Sequence, residues 1–446
     1  MLGLFGTCDV AVAGGGIAGV IAAIAAAREG AKTLLLEGGN FLGGIVTAGR
    51  LSKPTGLVDC GIFWEMLQRA AEQGGADTTT RQASWGPYTG LFDPEVMERV
   101  MLEMLETHGI EVLLRAQVTD VLVDRCVKGV EVTVKSGRKV VLAGATVDAT
   151  GDGDVAALAG APFEMGRPSD GMTQPITSYV RLINVDTPKL ARYMRDNAAD
   201  FSDLVLPETL GDSPEDFVLN FFATGFYRVV RQAKEDGQWW VPKDSVTVKG
   251  GMVPGEININ ATRFQGSGLD ERTLSAAELA LRKQAYNVLD FFRRYVPGCE
   301  KAVLLDIAPR MGVRETRRIL GEYVLTADDV KSQRRFADSI ALTCCPIDIH
   351  EPGGEGVVMI GVGKGYGIPY RCLLPKGVEG LLTAGRCISV DHVAFASTRN
   401  VPACALTGEA AGVAAALAAR DGRSPRDLDV GRLQAALAAR GIVLGN

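Results

Sequence analysis

The sequence is poor in the groups that most often carry chemistry. Its 446 residues hold three histidines, His108, His350 and His392, so imidazole-based proton transfer has only those candidates. Nine cysteines are present without a C-x-x-C or a zinc-ligand spacing, which excludes a dithiol redox motif and a cysteine-built metal centre. The adjacent pair Cys344 and Cys345 reads as buried strand packing. Positive charge is in deficit: 47 Lys and Arg against 53 Asp and Glu leave a net charge of −6. That balance argues against nucleic acid and anionic membranes as partners. No basic stretch precedes the first apolar run, where Asp9 stands instead. A secretory signal is therefore not expected, the cysteines read as reduced thiols, and the expected location is cytoplasmic. Glycine, by contrast, is abundant at 54 residues, and 47% of the chain is hydrophobic. Such a chain can bury a large core in two or more domains and turn tightly around a ligand.

The strongest local pattern lies between Asp9 and Glu37. An apolar strand, Val10 to Ala13, runs into Gly14-Gly15-Gly16-Ile17-Ala18-Gly19. An Ala-rich helix follows to about Arg28, and a second strand, Thr33 to Leu36, ends on Glu37. Gly14 permits the turn from strand to helix, Gly16 lets backbone approach a pyrophosphate, and Gly19 lets helix and strand pack closely. Free N–H groups and the positive end of the helix dipole then face the phosphates. Glu37 is placed to accept hydrogen bonds from an adenosine ribose. The uncharged run Val10 to Ala27 has the minimum length of a membrane span, but its glycine cluster and terminal acid fit the nucleotide reading instead.

Further along, Gly38 to Gly44 is a Gly-rich loop, and Gly74 to Gly90 is a polar, turn-rich excursion with Trp85, Pro87 and Tyr88. Asp93-Pro94 opens a helix over Glu95 to Thr107. Glu111 to Leu114 reads as a parallel strand. Val118 to Val123, Gly129 to Val134 and Lys139 to Val147 read as an antiparallel meander. The region from Phe163 to about Leu374 holds most of the aromatics. It carries strand signals at Ser245 to Val248 and Ile257 to Asn260 and a helical one at Ala276 to Tyr295. The chain returns through Gly380 to Arg386 and closes on a helix expected over Gly408 to Arg420.

Four blocks together carry a family resemblance. They are the Gly14 to Glu37 unit with Phe41-Leu42-Gly43-Gly44, the run Val147-Asp148-Ala149-Thr150-Gly151-Asp152-Gly153, the segment Arg310 to Thr326, and Ala384 to His392 continued through Gly408 to Gly412. The chain resembles FAD-dependent oxidoreductases of the glutathione-reductase-like superfamily, related to fumarate reductase and succinate dehydrogenase flavoproteins. The resemblance implies an α/β fold: a glutathione-reductase-like FAD-binding Rossmann domain with an inserted α+β substrate domain. Residues 1–162 would form the first part of the FAD domain, with a lid-like excursion at 52–92. Residues 163–374 would be the insert, and 375–446 the return. Carried over, Gly14, Gly16, Ile17, Ala18 and Gly19 would hold the pyrophosphate and Glu37 the ribose. Gly43 and Gly44 would pass near the phosphates or ribityl chain, Val118 would meet adenine, and Gly151 and Asp152 would close over the adenosine. Gly385 and Asp391 would lie near the ribityl chain, and Ala403, Cys404 and Ala405 near the flavin pyrimidine edge. Where relatives often carry a polar residue this chain has Phe395, which puts that contact in doubt.

For catalysis the residues leave several readings. His108 is a helix cap, His350 is either a structural histidine or an active-site one, and His392 sits close in sequence to the implied flavin contacts. Arg310, Arg314, Arg317 and Arg318 have near-helical spacing, with ion pairing to Asp306, Glu315 and Glu322 as their plain role. Arg399 resembles an arginine that grips a substrate carboxylate in fumarate-reductase-like proteins. Tyr366 and Tyr370 flank a turn leading back to the FAD domain. His392, Arg399 and Tyr366 are expected to line one cavity, with hydride passing between a small-molecule substrate and flavin N5. The second electron partner is open: oxygen, a carrier, or a second substrate. The absence of a second intact dinucleotide motif argues against a built-in NAD(P)H domain. Alternatives are a reductase of an activated C=C bond in an acidic substrate, a flavin-binding protein without turnover, and a plain NAD-binding protein.

Overall fold

The first strand, Gly3–Ala13, is buried throughout Val10 to Ala13 because it is flanked on both sides in a parallel sheet. The computed structural model describes residues 3–210 and 218–445. The strand pairs with Thr33–Glu37 in the register Val10 to Thr33 through Ala13 to Leu36. Between the two runs the crossover helix Ile17–Arg28. The sheet order is Glu111–Leu114, Thr33–Glu37, Gly3–Ala13, Gly137–Asp148, Cys126–Val134, Gln117–Asp124, with the return strand Leu381–Thr383 set against Gly137–Asp148. This is the α/β core expected from the sequence, with the antiparallel meander on one edge. The uncharged run Val10 to Ala27 is strand, turn and helix. The buried helix Val401–Asp421 is the one helix among the described residues apolar and long enough to cross a membrane, and 94% of its apolar window lies inside the protein.

Helix Val401–Asp421 begins seven residues before the expected Gly408, because Asn400 stays extended and Pro402 is tolerated in the first turn. It crosses Ile17–Arg28 along a seam of small residues. A Cβ on Gly408 would lie 2.3 Å from the Ala18 carbonyl oxygen, and one on Gly412 would lie 2.1 Å from that of Ala22. The two backbones touch there without intervening side chains.

The inserted region builds a six-stranded antiparallel sheet: Phe201–Val205, Phe222–Gly225, Val246–Gly250, Ile257–Asn260, Val180–Ile183, Val303–Ile307. Period-two alternation gives it two unlike faces. Ala223, Val246, Val248, Ile257 and Ile259 point into an apolar core closed by Val288, Phe291 and Phe292 of helix Glu271–Tyr295. Phe222, Thr224, Thr247, Lys249 and Asn260 fall on the opposite face, and their strands are in register there: Phe222 opposite Lys249, Thr224 opposite Thr247, Thr247 opposite Asn260. Later in the same region, Leu325, Ile340, Tyr366 and Leu373 join the core of the nucleotide domain instead.

The segment Arg310 to Arg318 is not helical. Arg317–Ile319 is a strand paired with Phe163–Met165, and the four arginines go to different partners. Arg310 reaches Glu37, Arg314 the Pro175 carbonyl, Arg317 Asp154, and Arg318 Glu315. Asp306 pairs with Arg50 and Arg181, and Glu322 with Arg426.

Candidate active site

One cavity of about 580 Å³ runs from the glycine turn to the polar face of the inserted sheet. Its first end is built by local backbone. Gly14 has φ +99°, and a Cβ there would lie 2.4 Å from the Ala149 carbonyl. Gly19 packs its helix on the turn, since a Cβ would fall 1.8 Å from the Gly14 oxygen. Gly16 is different: a Cβ would meet nothing within 4 Å, so this position faces open space inside the cavity. Helix Ile17–Arg28 has no side-chain cap, which leaves its first N–H groups free for an anion. Glu37 accepts the Gly15 and Gly39 amides at 2.7 Å each and pairs with Arg310 at 3.2 Å. Helix Val401–Asp421 likewise lacks a side-chain cap and brings Asn400, Val401 and Cys404 to the wall.

Between the ends lie Ala149 to Asp152, Gly385 and Arg386. Arg386 donates to the Gly151 carbonyl at 2.9 Å and pairs with Asp152. Asp148, just below, is fully buried and accepts Thr150 Oγ1 and the Thr150 and Ala156 amides, yet burial pushes its carboxyl up to about 6.

The far end gathers charge. Lys53 Nζ stands 4.6, 4.1 and 4.0 Å from the ring centroids of Trp85, Tyr88 and Phe222. Burial pulls its ammonium down to about 7, against the opposing pull of Asp203 and Asp348. Lys249 Nζ reaches the Tyr179 hydroxyl at 3.3 Å, and burial, then Lys53 and Lys243, hold it well below the usual lysine range. Arg399 Nη2 donates to the Asp348 carbonyl at 2.6 Å, to its carboxylate at 3.1 Å and to Gln174 Oε1 at 3.3 Å. His350 Nε2 lies 3.4 Å from Asp348 Oδ1. Burial and then Arg314 press the imidazole down to about 3, so it is neutral at physiological pH. Burial would raise Asp348, but His350, Arg399 and Arg314 outweigh it and hold the carboxyl well below its usual range.

The cavity collects Gly14, Gly16, Ile17, Ala18, Glu37, Gly44, Gly151, Asp152, Gly385 and Cys404 of the expected cofactor residues, and His350 and Arg399 of the expected catalytic ones. The rest stand off its wall. Gly19 and Gly43 serve packing and the turn, and Val118 sits in an apolar core. Ala403 and Ala405 are buried beside Cys404 in the main core. Asp391 caps the short helix His392–Thr398 through the Val393 and Ala394 amides and also takes the Ala327 amide. The single cavity expected for His392, Arg399 and Tyr366 is not formed. His392 Nδ1 is 3.0 Å from Glu315 Oε1, inside a buried cluster with Arg318. The Tyr366 hydroxyl is 2.7 Å from Ser397 Oγ, and Tyr370 donates to the Pro425 carbonyl. Phe395 is buried in the same core. His108 caps its helix, as expected, and accepts from Arg28 Nε.

Sequence reasoning passed over Lys53, Lys249, Tyr179, Asn260 and Asp348. Alternation carried a usable signal for one of them. Thr247 and Lys249 must share a face if Val246 and Val248 share the other.

A parallel sheet with a glycine turn at its carboxyl end, a free helix N-terminus and a terminal acid defines a dinucleotide-binding α/β protein. Within that class the chain belongs to the FAD dependent oxidoreductase family, whose model matches residues 9–437. The protein is therefore an FAD-dependent oxidoreductase. The space at Gly16, the uncapped helix and the Glu37 carboxylate fit FAD, and they would hold its pyrophosphate and ribose. Solved structures to which the chain is similar include a geranylgeranyl bacteriochlorophyll reductase-like protein from Thermoplasma acidophilum, at 13% identity over 98% of this chain and 88% of that one, with a TM-score of 0.46. Another is p-nitrophenol 4-monooxygenase from Pseudomonas putida, at 12% identity over 98% and 85%, TM-score 0.49. A third is GidA from Aquifex aeolicus, at 16% identity over 97% and 67%, TM-score 0.47. No curated protein matches the sequence.

Proposed function

We propose that the protein moves a hydride between its cofactor and a small-molecule substrate held on the polar face of the inserted sheet. The observation that carries this reading is the continuity of one cavity from Gly14 and Gly16 to Lys249 and His350. Bound FAD supplies the two-electron carrier. The chain's own residues do the rest. The free amides of helix Ile17–Arg28 and the Glu37 carboxylate anchor the nucleotide end. Trp85 and Phe222 close over Lys53 and shed water from the far end. His350, held beside Asp348, is the histidine on the cavity wall and the group placed to exchange a proton with bound substrate.

The fumarate-reductase-like reading, a C=C reductase in which Arg399 grips a substrate carboxylate, has weaker support. Arg399 Nη2 is already taken by Asp348 and Gln174. The test is spectroscopic. Purified protein should show a flavin absorption spectrum that bleaches anaerobically with one member of a metabolite panel. His350→Ala should slow that bleaching at least tenfold while retaining flavin. Full-rate bleaching in His350→Ala removes the histidine from the mechanism. A protein that no metabolite bleaches, and whose reduced flavin no metabolite reoxidises, is not the enzyme proposed.

A further inference from the structure

Resting on that reading, we infer that the substrate carries an oxyanion, a carboxylate or a phosphate, and that Lys53 and Lys249 bind it from the polar face of the inserted sheet. Both lysines line the cavity, and each is only 3% exposed. Among the described residues, neither lysine has a carboxylate within ion-pair distance and Lys53 has no hydrogen-bond acceptor, whereas the arginines that line the cavity each have an oxygen acceptor. Arg399 has Asp348, and Arg314 has the Pro175 carbonyl. The third buried lysine of this region, Lys243, shows what a structural solution looks like: its Nζ donates to the Asn260 carbonyl at 2.9 Å.

Lys53 has no such acceptor. Its ammonium is held by three aromatic faces, which attract a cation but accept none of its three N–H donors in the plane of a lone pair. Lys249 has one partner residue, Tyr179, with the hydroxyl at 3.3 Å and the ring centroid at 4.5 Å. Two buried lysines that repel one another when both are protonated make an unfavourable place for charge in an empty wall. A bound oxyanion resolves it, because it supplies both the counter-charge and the missing acceptors. The placement is also one that sequence builds deliberately. Lys249 takes a position in a strand whose alternating partners, Val246 and Val248, are core residues, and it shares its face with Phe222, Thr247 and Asn258. The arrangement moves the anion grip from Arg399, whose Nη2 is held by Asp348 and Gln174, to the lysine couple.

The test uses FAD-loaded protein and three probes at matched ionic strength: succinate, inorganic phosphate and chloride. Thermal unfolding and the flavin absorption spectrum are followed against probe concentration, for wild type and for Lys53→Met and Lys249→Met separately. Succinate or phosphate should raise the unfolding temperature saturably in wild type. Each Met variant should weaken that binding at least tenfold while keeping its flavin. Saturation by succinate alone assigns a carboxylate, and by phosphate alone a phosphate. The inference is overturned if neither probe binds saturably, if chloride produces the same shift, or if both Met variants bind as wild type does. Anion binding that survives in a protein no metabolite can bleach or reoxidise would overturn the proposed reaction and leave this site standing.

Discussion

Gly16 and Gly19 belong to one motif, yet the structure predicts opposite consequences for replacing them. Gly16 has φ −67° and ψ 179°, a conformation any residue adopts, and a Cβ there points into free space. A Gly16→Val protein should therefore fold as well as wild type. Restricting the unfolded chain contributes about 0.4–1 kcal/mol in its favour at a compatible glycine. The side chain would instead occupy the approach to the helix amides. Losing two charge-assisted hydrogen bonds to a pyrophosphate costs about 3–6 kcal/mol at 1.5–3 kcal/mol each. That is roughly 10²- to 10⁴-fold in FAD affinity. Gly19→Ala would act on folding first, because its Cβ would overlap the Gly14 carbonyl oxygen at 1.8 Å and backbone there has nowhere to go. Over-packing of this kind costs about 1–3 kcal/mol or more. The assay is denaturant unfolding of the flavin-free proteins together with FAD titration by fluorescence quenching. Gly16→Val should be stable and fail to bind, and Gly19→Ala should be unstable even without flavin. A Gly16→Val protein that binds FAD like wild type would refute the assignment of this space to the cofactor.

Glu37→Ala removes the acceptor of the Gly15 and Gly39 amides and should lower FAD occupancy, at a cost of about 1.5–3 kcal/mol for a charged hydrogen bond; the flavin-to-protein absorbance ratio checks it. Lys53 titrates near 7 when folded and near 10.5 when unfolded, so between those values the unfolded chain binds more protons and stability rises with pH. Wild type without added anion should gain up to about 1.4 kcal/mol per pH unit relative to Lys53→Met between pH 7 and 9, and a flat difference across that window contradicts it. Tyr366→Phe should cost about 1 kcal/mol of stability through the lost Ser397 contact and leave flavin reduction unchanged. His392→Ala should destabilise by about 1–3 kcal/mol, since Glu315 loses a buried partner, and a slower reaction at unchanged stability would return His392 to the catalytic site.

The nucleotide end was legible because its physics is local. Turn, cradle, helix and acid follow one another within 24 residues, and each glycine has a steric reason that reads directly from the pattern. The far end was not, because it is assembled from separate strands. Nothing near Lys53 in sequence announces Trp85 or Phe222, and Asp348 reaches Arg399 across 51 residues. Proximity in sequence misled at His392. It follows the flavin-family block directly, yet the helix that Asp391 caps turns it toward Glu315. The arginine spacing misled for a related reason. Periodicity of 3–4 residues looks helical, but strand pairing with Phe163–Met165 claimed the segment. The final helix starts before the Ala-rich stretch that announces it, because Pro402 is accommodated in its first turn.

The glycine seam between Ile17–Arg28 and Val401–Asp421 acts as a gauge block. Both helices present free, positively polarised ends to the same cavity, and the distance between those ends is fixed where Gly408 and Gly412 meet the backbone of Ala18 and Ala22. No side chain stands in the joint, so no rotamer can adjust it. Diversification of this scaffold toward other substrates is thereby channelled into the inserted sheet, whose cavity-facing side chains can be exchanged one by one. The spacing that receives the cofactor stays calibrated by carbonyl oxygens alone.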